Sequence, residues 1–418
     1  MSNDELTAII NAGELLTVHS DVPKRGDALS DLGIIKGGAV VFRGDSIIDV
    51  GSTGDMLAKH KPGKTIDAGS RVVMPGFVDS HTHLVYMGSR HEEYECKIAG
   101  KSYADLHKVG GIRYSVGMTR KASEEELFEK ALRDLDIMLL HGTTTAESKS
   151  GYGLDRENEI KILRVNQRLN KSHPVDLLST FLGAHTVPDE FKENKAGYVA
   201  LVREMLDEAA PLAEFCDVWC DALGFSVEES RQILLDARQR GLKLKLHAEQ
   251  TAWSGGGELA AELQVVSADH MDFLSPKAIS MLRDTNVIAV LLPGVTYHLM
   301  EFDKKIPVKE MVEGGVAIGL ATDYNPGSCR TQSMQAILET ACRLYRMTYA
   351  QAINAATINA AFAVGRGHSI GSLAPGKRAD ILILDCEEHG VMINNFGVNH
   401  VRSVIKNGRV VVRDGQRA

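Results

Sequence analysis

The residues of this chain best suited to chemistry are His81 and His83, which close the run Val72-Val73-Met74-Pro75-Gly76-Phe77-Val78-Asp79-Ser80-His81-Thr82-His83. Side chains two apart on a strand leave its backbone on the same face, so both imidazoles can reach one metal ion while Thr82 points away. Four more apolar, strand-like runs end in polar groups: Gly183-Ala184-His185, His247-Ala248-Glu249-Gln250, Asp269-His270, and Thr322-Asp323-Tyr324-Asn325-Pro326-Gly327-Ser328. A single histidine at a strand end is more often a structural hydrogen-bonder. Five such ends meeting at one mouth point to a site. Three neutral imidazoles and a carboxylate form a nitrogen-rich set suited to zinc or iron, with a position left for water. The expected ligands of this one divalent or trivalent ion are His81, His83, His247 and Asp323. Such an ion lowers the pKa of a water it binds to about 7. Asp323 can then accept the water's proton and pass it to a leaving nitrogen, while His270 holds the water or polarises a substrate carbonyl.

These side chains need elements that bring them together, and the middle of the chain alternates strand-like and helix-like segments. Eight strands are expected: Val72 to Asp79, Thr143 to Ser148, Asp176 to Leu182, Phe215 to Asp221, Leu242 to Leu246, Val265 to Ala268, Val287 to Leu292 and Val316 to Ala321. Amphipathic stretches such as Glu124 to Leu140, Arg156 to Leu169, Ser226 to Gln239 and Pro276 to Arg283 lie between them. Eight such units are the arithmetic of an α/β fold of the (β/α)8 TIM barrel type, with a doubly wound sheet as the alternative the pattern leaves open. The first ~65 residues read as short strands at Thr7 to Ile10, Glu14 to Val18, Ile34 to Phe42 and Ser46 to Val50, with no helical period. The end repeats that style at Ala379 to Leu384, Val401 to Ile405 and Val410 to Val412, with an Asn407-Gly408 hairpin turn. The expected organisation is a small composite β-sandwich from residues 1–70 and 370–418, around a barrel at 71–369.

The 418 residues, 24% charged and 44% hydrophobic, have the balance of an ordinary globular protein. A formal charge of −8 argues against a nucleic-acid partner, although one buried arginine can still receive an anionic small molecule. The acidic start Met1-Ser2-Asn3-Asp4-Glu5 does not resemble a signal peptide, and no apolar run approaches the ~20 residues of a membrane span. Six scattered cysteines suggest no disulfide framework and make a reducing cytoplasm the expected location. Cys216 and Cys220, within an apparent strand, are expected to pack in the core. That strand carries no lysine able to bridge two metals, so a one-metal site follows. Lys149, in Ser148-Lys149-Ser150-Gly151-Tyr152-Gly153, reads as part of a substrate loop.

The signature Pro75-Gly76-Phe77-Val78-Asp79-Ser80-His81-Thr82-His83, together with Asp323, resembles the amidohydrolase superfamily. A narrower resemblance is to its branch that acts in histidine degradation. It rests on Gly88-Ser89-Arg90, Lys149 to Leu154, Gly183-Ala184-His185, His247-Ala248-Glu249-Gln250, Ser267-Ala268-Asp269-His270, Leu291-Leu292-Pro293-Gly294 and Ala321 to Ser328. The resemblance implies hydrolytic opening of 4-imidazolone-5-propanoate to N-formimidoyl-L-glutamate, with cleavage of a cyclic amide carbon–nitrogen bond. By position it implies the four metal ligands named above, substrate contacts at Arg90, Tyr152, His185 and Gln250, and a substrate-holding loop at Asn325, Gly327 and Ser328. It also suggests a homodimer. The planar fork of Arg90 suits the propanoate carboxylate, with Tyr103 and Tyr152 as phenol donors. His185 and Gln250 can hydrogen-bond the ring and assist its chemistry, and backbone at Gly327 can approach closely.

Two departures stand out. Val109-Gly110-Gly111 occurs where relatives usually carry three glycines, and Arg113-Tyr114-Ser115-Val116-Gly117 after it is unusual, so this segment reads as a lid or substrate-facing loop. Ser328 in place of threonine, followed by Cys329-Arg330, is milder. The rival activity is an aminohydrolase releasing ammonia from a purine or triazine ring. Arg90 with Tyr152 speaks against it, because they fit an anionic tail that purines lack. A catalytically silent scaffold would show a damaged ligand set, and all four ligands are present.

Overall fold

The computed structural model describes residues 5–100 and 110–418. In chain order its strands are β1 Leu6–Leu16, β2 Ile34–Arg43, β3 Ser46–Ser52, β4 Lys64–Asp67, β5 Val72–Pro75 and β6 Phe77–Asp79. There follow β7 Thr143–Lys149, β8 Asp176–Ala184, β9 Phe215–Cys220, β10 Lys243–Ala248, β11 Ser267–His270, β12 Ile288–Leu291 and β13 Ala317–Leu320. The last four are β14 Ile381–Leu384, β15 Val401–Lys406, β16 Arg409–Arg413 and β17 Gln416–Arg417.

Strands β6 to β13 form one eight-stranded sheet in sequence order, and every neighbouring pair is parallel. Helices between them bury their apolar faces on it. Glu124–Leu140 begins in a capping box of Ser123 and Glu126 and sinks Leu127, Ala131, Leu135 and Met138, one turn apart, into the core. Truncating such a residue costs ~2–5 kcal/mol. The first and last barrel strands meet just beyond their ends. Asp323 N donates to His81 O at 3.0 Å and His83 N to Tyr324 O at 2.9 Å, which closes the ring and places Asp323 beside both histidines.

The strand expected from 72 to 79 is divided between two sheets. Gly76 N donates to Asp380 O at 2.9 Å in the terminal sheet, and Phe77 N to Gly142 O at 3.0 Å beside the barrel. A Cβ on Gly76 would collide with the Thr144 side chain, so glycine is what lets the chain cross here. The β strands of both ends hydrogen-bond into one nine-stranded sheet, β17-β16-β15-β14-β5-β1-β2-β3, with β4 on β1. The sheet curls so that Val40, Phe42 and Ile47 from one end share a core with Ile381, Ile383 and Ile405 from the other.

Two local expectations fail at this terminal sheet. Thr7 to Ile10 and Glu14 to Leu16 belong to one strand, which stops short of Val18, because a bulge between Ile9 and Ala12, with Asn11 at φ 55°, absorbs the apparent break. The first ~65 residues also hold a helix, Thr53–His60, capped by Ser52. It buries only Met56, so no apolar period announces it. No helix among the described residues is long and apolar enough to cross a membrane. All six cysteines are free, with Cys216 and Cys220 in the core.

Candidate metal centre

Each expected ligand is delivered by a strand end. His81 and His83 follow β6, His247 lies in β10, and Asp323 follows β13. Ligating atoms of His81, His83 and His247 lie within 4.8 Å of one another, as do those of His81, His270 and Asp323. Asp323 Oδ1 is 3.3 Å from His81 Nε2 and 3.5 Å from His83 Nε2. His81 Nε2, His247 Nε2 and Asp323 Oδ1 are buried with no hydrogen-bond partner among the described residues. Buried polar atoms left unpaired are costly, and converging nitrogen lone pairs with a carboxylate oxygen are the donor set of a cation. The residues therefore fit a metal ion. Desolvation holds the pKa values of His81, His83 and His270 well below normal, which keeps these imidazoles neutral. Burial pushes the Asp323 carboxyl up to about 7.

The orienting layer beneath was not expected. Asp269 Oδ2 lies 2.6 Å from His81 Nδ1, and Asp217 Oδ2 lies 2.9 Å from His247 Nδ1. Such contacts leave the opposite ring nitrogen free as a ligand. Lys149 corrects the reading of it as a loop residue. It lies in β7 with a fully buried side chain, its Nζ 2.8 Å from Glu147, 2.7 Å from Asp217 and 3.3 Å from Asp269. Although desolvation opposes it, the charges of Asp217, Glu147 and Asp269 raise the Lys149 pKa above normal. Lys245 completes the group, 3.5 Å from Glu147 and donating to Ser80 O at 3.0 Å. The sequence carried only a partial signal for this layer: Asp217 and Lys245 stand among apolar neighbours in their strands, whereas Glu147 and Lys149 stand in the polar run Thr143 to Lys149.

Around the ligands, the ring of His185 stacks on that of His83 at 4.8 Å and 15°. Its Nδ1 is 2.9 Å from Gly151 O, so this nitrogen carries the proton and Nε2 is an acceptor. Desolvation lowers its pKa to about 4. Tyr152 sets its ring edge against His83 at 5.6 Å. It is presented by a loop wound around buried Glu159, which accepts from Gly151, Gly153 and Leu154 amides at 2.8–3.1 Å. Gln250 is half-buried, its backbone clamped by Asp221 at 2.8 Å and by Lys304 at 2.8 Å. Glu249 caps the helix Gly256–Leu263 through Gly257 N at 3.1 Å, and burial raises it to about 7.

Arg90 uses one edge of its guanidinium on Glu93, with both contacts at 2.8 Å, and lays Nη1 directly over Gly327. A Cβ at 327 would occupy that place, which explains the glycine. Asn325 spends both ends of its amide within its own loop: Nδ2 donates to Asp323 O at 2.6 Å and to Ser328 Oγ at 2.7 Å, and Oδ1 accepts from Gly327 and Ser328 amides at 2.8 Å. Ser328 Oγ also lies 3.3 Å from Asp323 Oδ2. Asn325 and Ser328 thus shape the loop that holds Asp323. Tyr103 and Val109 lie outside the described residues.

The unusual segment is a helix, Gly111–Lys121, rather than a loop. With Leu154 and Thr186 to Glu190 it lines an open cavity of about 330 Å³, and none of the four ligands lines it. Arg113 pairs with Asp189 at 2.9 Å and Arg120 with Glu190 at 2.7 Å across this cavity. Glu249, His270 and Asp323, each just past or at a barrel strand end, have positive φ of 56°, 76° and 51°. Side-chain-bearing residues seldom adopt that region, and they cluster at functional sites when they do.

The amidohydrolase family matches residues 72–411. The chain is 44% identical to the imidazolonepropionase of Geobacillus kaustophilus over 97% of each chain. It is 43% identical to that of Alkaliphilus oremlandii over 97% of this chain and 98% of that one, and 46% identical to that of Treponema denticola over 86% and 87%. Its fold is like that of a zinc-bound adenosine deaminase from Xanthomonas campestris, with a TM-score of 0.74 at 19% identity over 99% of this chain and 94% of that one. A triazine hydrolase variant aligns with a TM-score of 0.75 at 17% identity over 99% and 96%.

Proposed function

The chain belongs to the amidohydrolase family and, within it, to the imidazolonepropionases, and from that premise we propose how its residues open the ring of 4-imidazolone-5-propanoate. The reaction is hydrolysis of the cyclic amide carbon–nitrogen bond, giving N-formimidoyl-L-glutamate. The observation that carries the reading is Arg90 lying over Gly327, in the loop that begins at Asp323. A group made for carboxylates therefore stands next to the metal cluster, where an imidazolone ring would leave its propanoate arm.

One ion, zinc or iron(II), held by His81, His83, His247 and Asp323, would supply Lewis-acid activation of water and of the ring carbonyl. Asp323 accepts the proton of the attacking water and returns it to the ring nitrogen as the carbon–nitrogen bond breaks, so that nitrogen leaves protonated, in the amidine of the formimidoyl group, and not as an anion. A carboxyl pushed to about 7 by burial suits both transfers. His270, with Nδ1 buried and unpartnered, has a hydrogen-bonding atom free to hold the water or the developing oxyanion. His185 Nε2 accepts from a ring N–H, and the Gln250 amide serves a ring nitrogen or the carbonyl. Tyr152 and Arg90 bind the arm, and Asn325 with Ser328 keeps Asp323 in place.

The test follows the loss of imidazolone absorbance with purified protein, with and without a chelator, while ammonia is assayed in parallel. Ring opening that stops on chelation is expected. Ammonia release from a purine or triazine, without ring opening, would replace this reading with an aminohydrolase.

A further inference from the structure

The oxygen of Asp217 that contacts His247 Nδ1 is also the one nearest Lys149 Nζ, at 2.9 and 2.7 Å respectively. The same holds for Asp269, whose Oδ2 lies 2.6 Å from His81 Nδ1 and 3.3 Å from Lys149 Nζ. One ammonium group thus bridges the two carboxylate oxygens that orient two histidines from different strands, and all five side chains are essentially sealed from solvent. From this bridging we infer that Lys149 is a positioning residue for the metal centre, locking His81 and His247 together as ligands through Asp269 and Asp217.

The physical case is geometric. Each aspartate oxygen accepts from its histidine Nδ1–H and so fixes the direction in which that ring presents Nε2. The ammonium on the same oxygens fixes the carboxylates in turn. Lys149 also stands between two buried negative charges and couples their positions, so the two Nε2 atoms are held at one mutual distance. Glu147 anchors the ammonium from the far side at 2.8 Å and is itself held by the Thr180 hydroxyl. The lysine therefore cannot drift toward either aspartate.

The inference rests on the metal site proposed above, and the experiment separates the two. Zinc affinity of metal-free protein is measured by competition with a chelator, and the visible spectrum of cobalt-loaded protein reports ligand geometry. Wild-type protein that takes up no stoichiometric zinc would overturn the site itself. With wild type binding zinc, Lys149→Met is expected to bind about 10- to 100-fold more weakly, the range seen when outer-shell partners of metal-bound histidines are lost. Its cobalt spectrum should shift. Lys149→Gln, which keeps donors but no charge, should fold and weaken binding in the same direction. Affinity and spectrum unchanged in folded Lys149→Met, or a Lys149→Gln chain that does not fold, would assign the lysine to stability alone and overturn the inference.

Discussion

Ion pairs lie on two sides of the histidine cluster, and they differ in kind. Beneath it, Lys149, Asp217 and Asp269 have no exposed side-chain surface and contact at 2.7–3.3 Å. At the mouth, Arg113 and Asp189 are 47% and 58% exposed although they stand 2.9 Å apart. Exposed pairs are worth ~0–1 kcal/mol, whereas breaking one partner of a buried pair costs ~3–5 kcal/mol because a charge is stranded. The ligand geometry is therefore held from below by groups that cannot reach water. The walls of the mouth are tied by contacts that part at little cost.

The largest expected effect lies at the cluster itself. Asp323→Asn should lower kcat by roughly 10²–10⁴-fold with the fold retained, since it removes the proton carrier. Steady-state kinetics with circular dichroism check it, and an unchanged kcat would remove Asp323 from the mechanism. Next, Asp217→Ala should destabilise the protein by ~3–5 kcal/mol in denaturant unfolding, because Lys149 loses its nearest counter-charge. Arg90→Ala should raise KM by roughly 10- to 100-fold, the scale of a lost charge-assisted pair, with metal content by elemental analysis unchanged.

The mouth should respond more weakly. Arg113→Ala should change stability by less than about 0.5 kcal/mol and leave kcat alone. A stability loss of several kcal/mol there would erase the contrast between the two sides. A further effect concerns acid. His185 has its pKa lowered to about 4, so the folded form resists a proton that the unfolded chain accepts. Its contribution is intact above the ordinary histidine pKa of about 6.5 and is lost as pH falls toward 4. Partial exposure weakens the effect, and His185→Asn should make the fall in Tm between those limits shallower by about 2 °C. An identical slope would mean that the ring is not desolvated.

Much of the fold was legible because periodicity survives in elements with one buried side. The helices Glu124–Leu140 and Pro276–Arg283 have the expected bounds, as each carries an apolar stripe and a capping serine before it. The helix Thr53–His60 was not legible, since it buries one residue, and the bulge at Asn11 imitated a strand break. At the site, the clustering of histidines and Asp323 could be read from strand-end spacing, but the pairings within the orienting layer could not. Asp217 and Lys149 are 68 residues apart, and neither has a neighbour in sequence that reveals the other.

What the amino-acid order determined by itself was the set of side chains at the strand ends, because a strand's alternation and a parallel barrel's direction leave His81, His83, His247 and Asp323 only one mouth to share. What only the tertiary structure decided was which charges stand behind them. Lys149 reads as loop from its polar neighbours and becomes the buried bridge between two aspartates only when β7, β9 and β11 are curved around one axis. Contacts between strands distant in sequence depend on barrel closure, and closure is a property of all eight strands together.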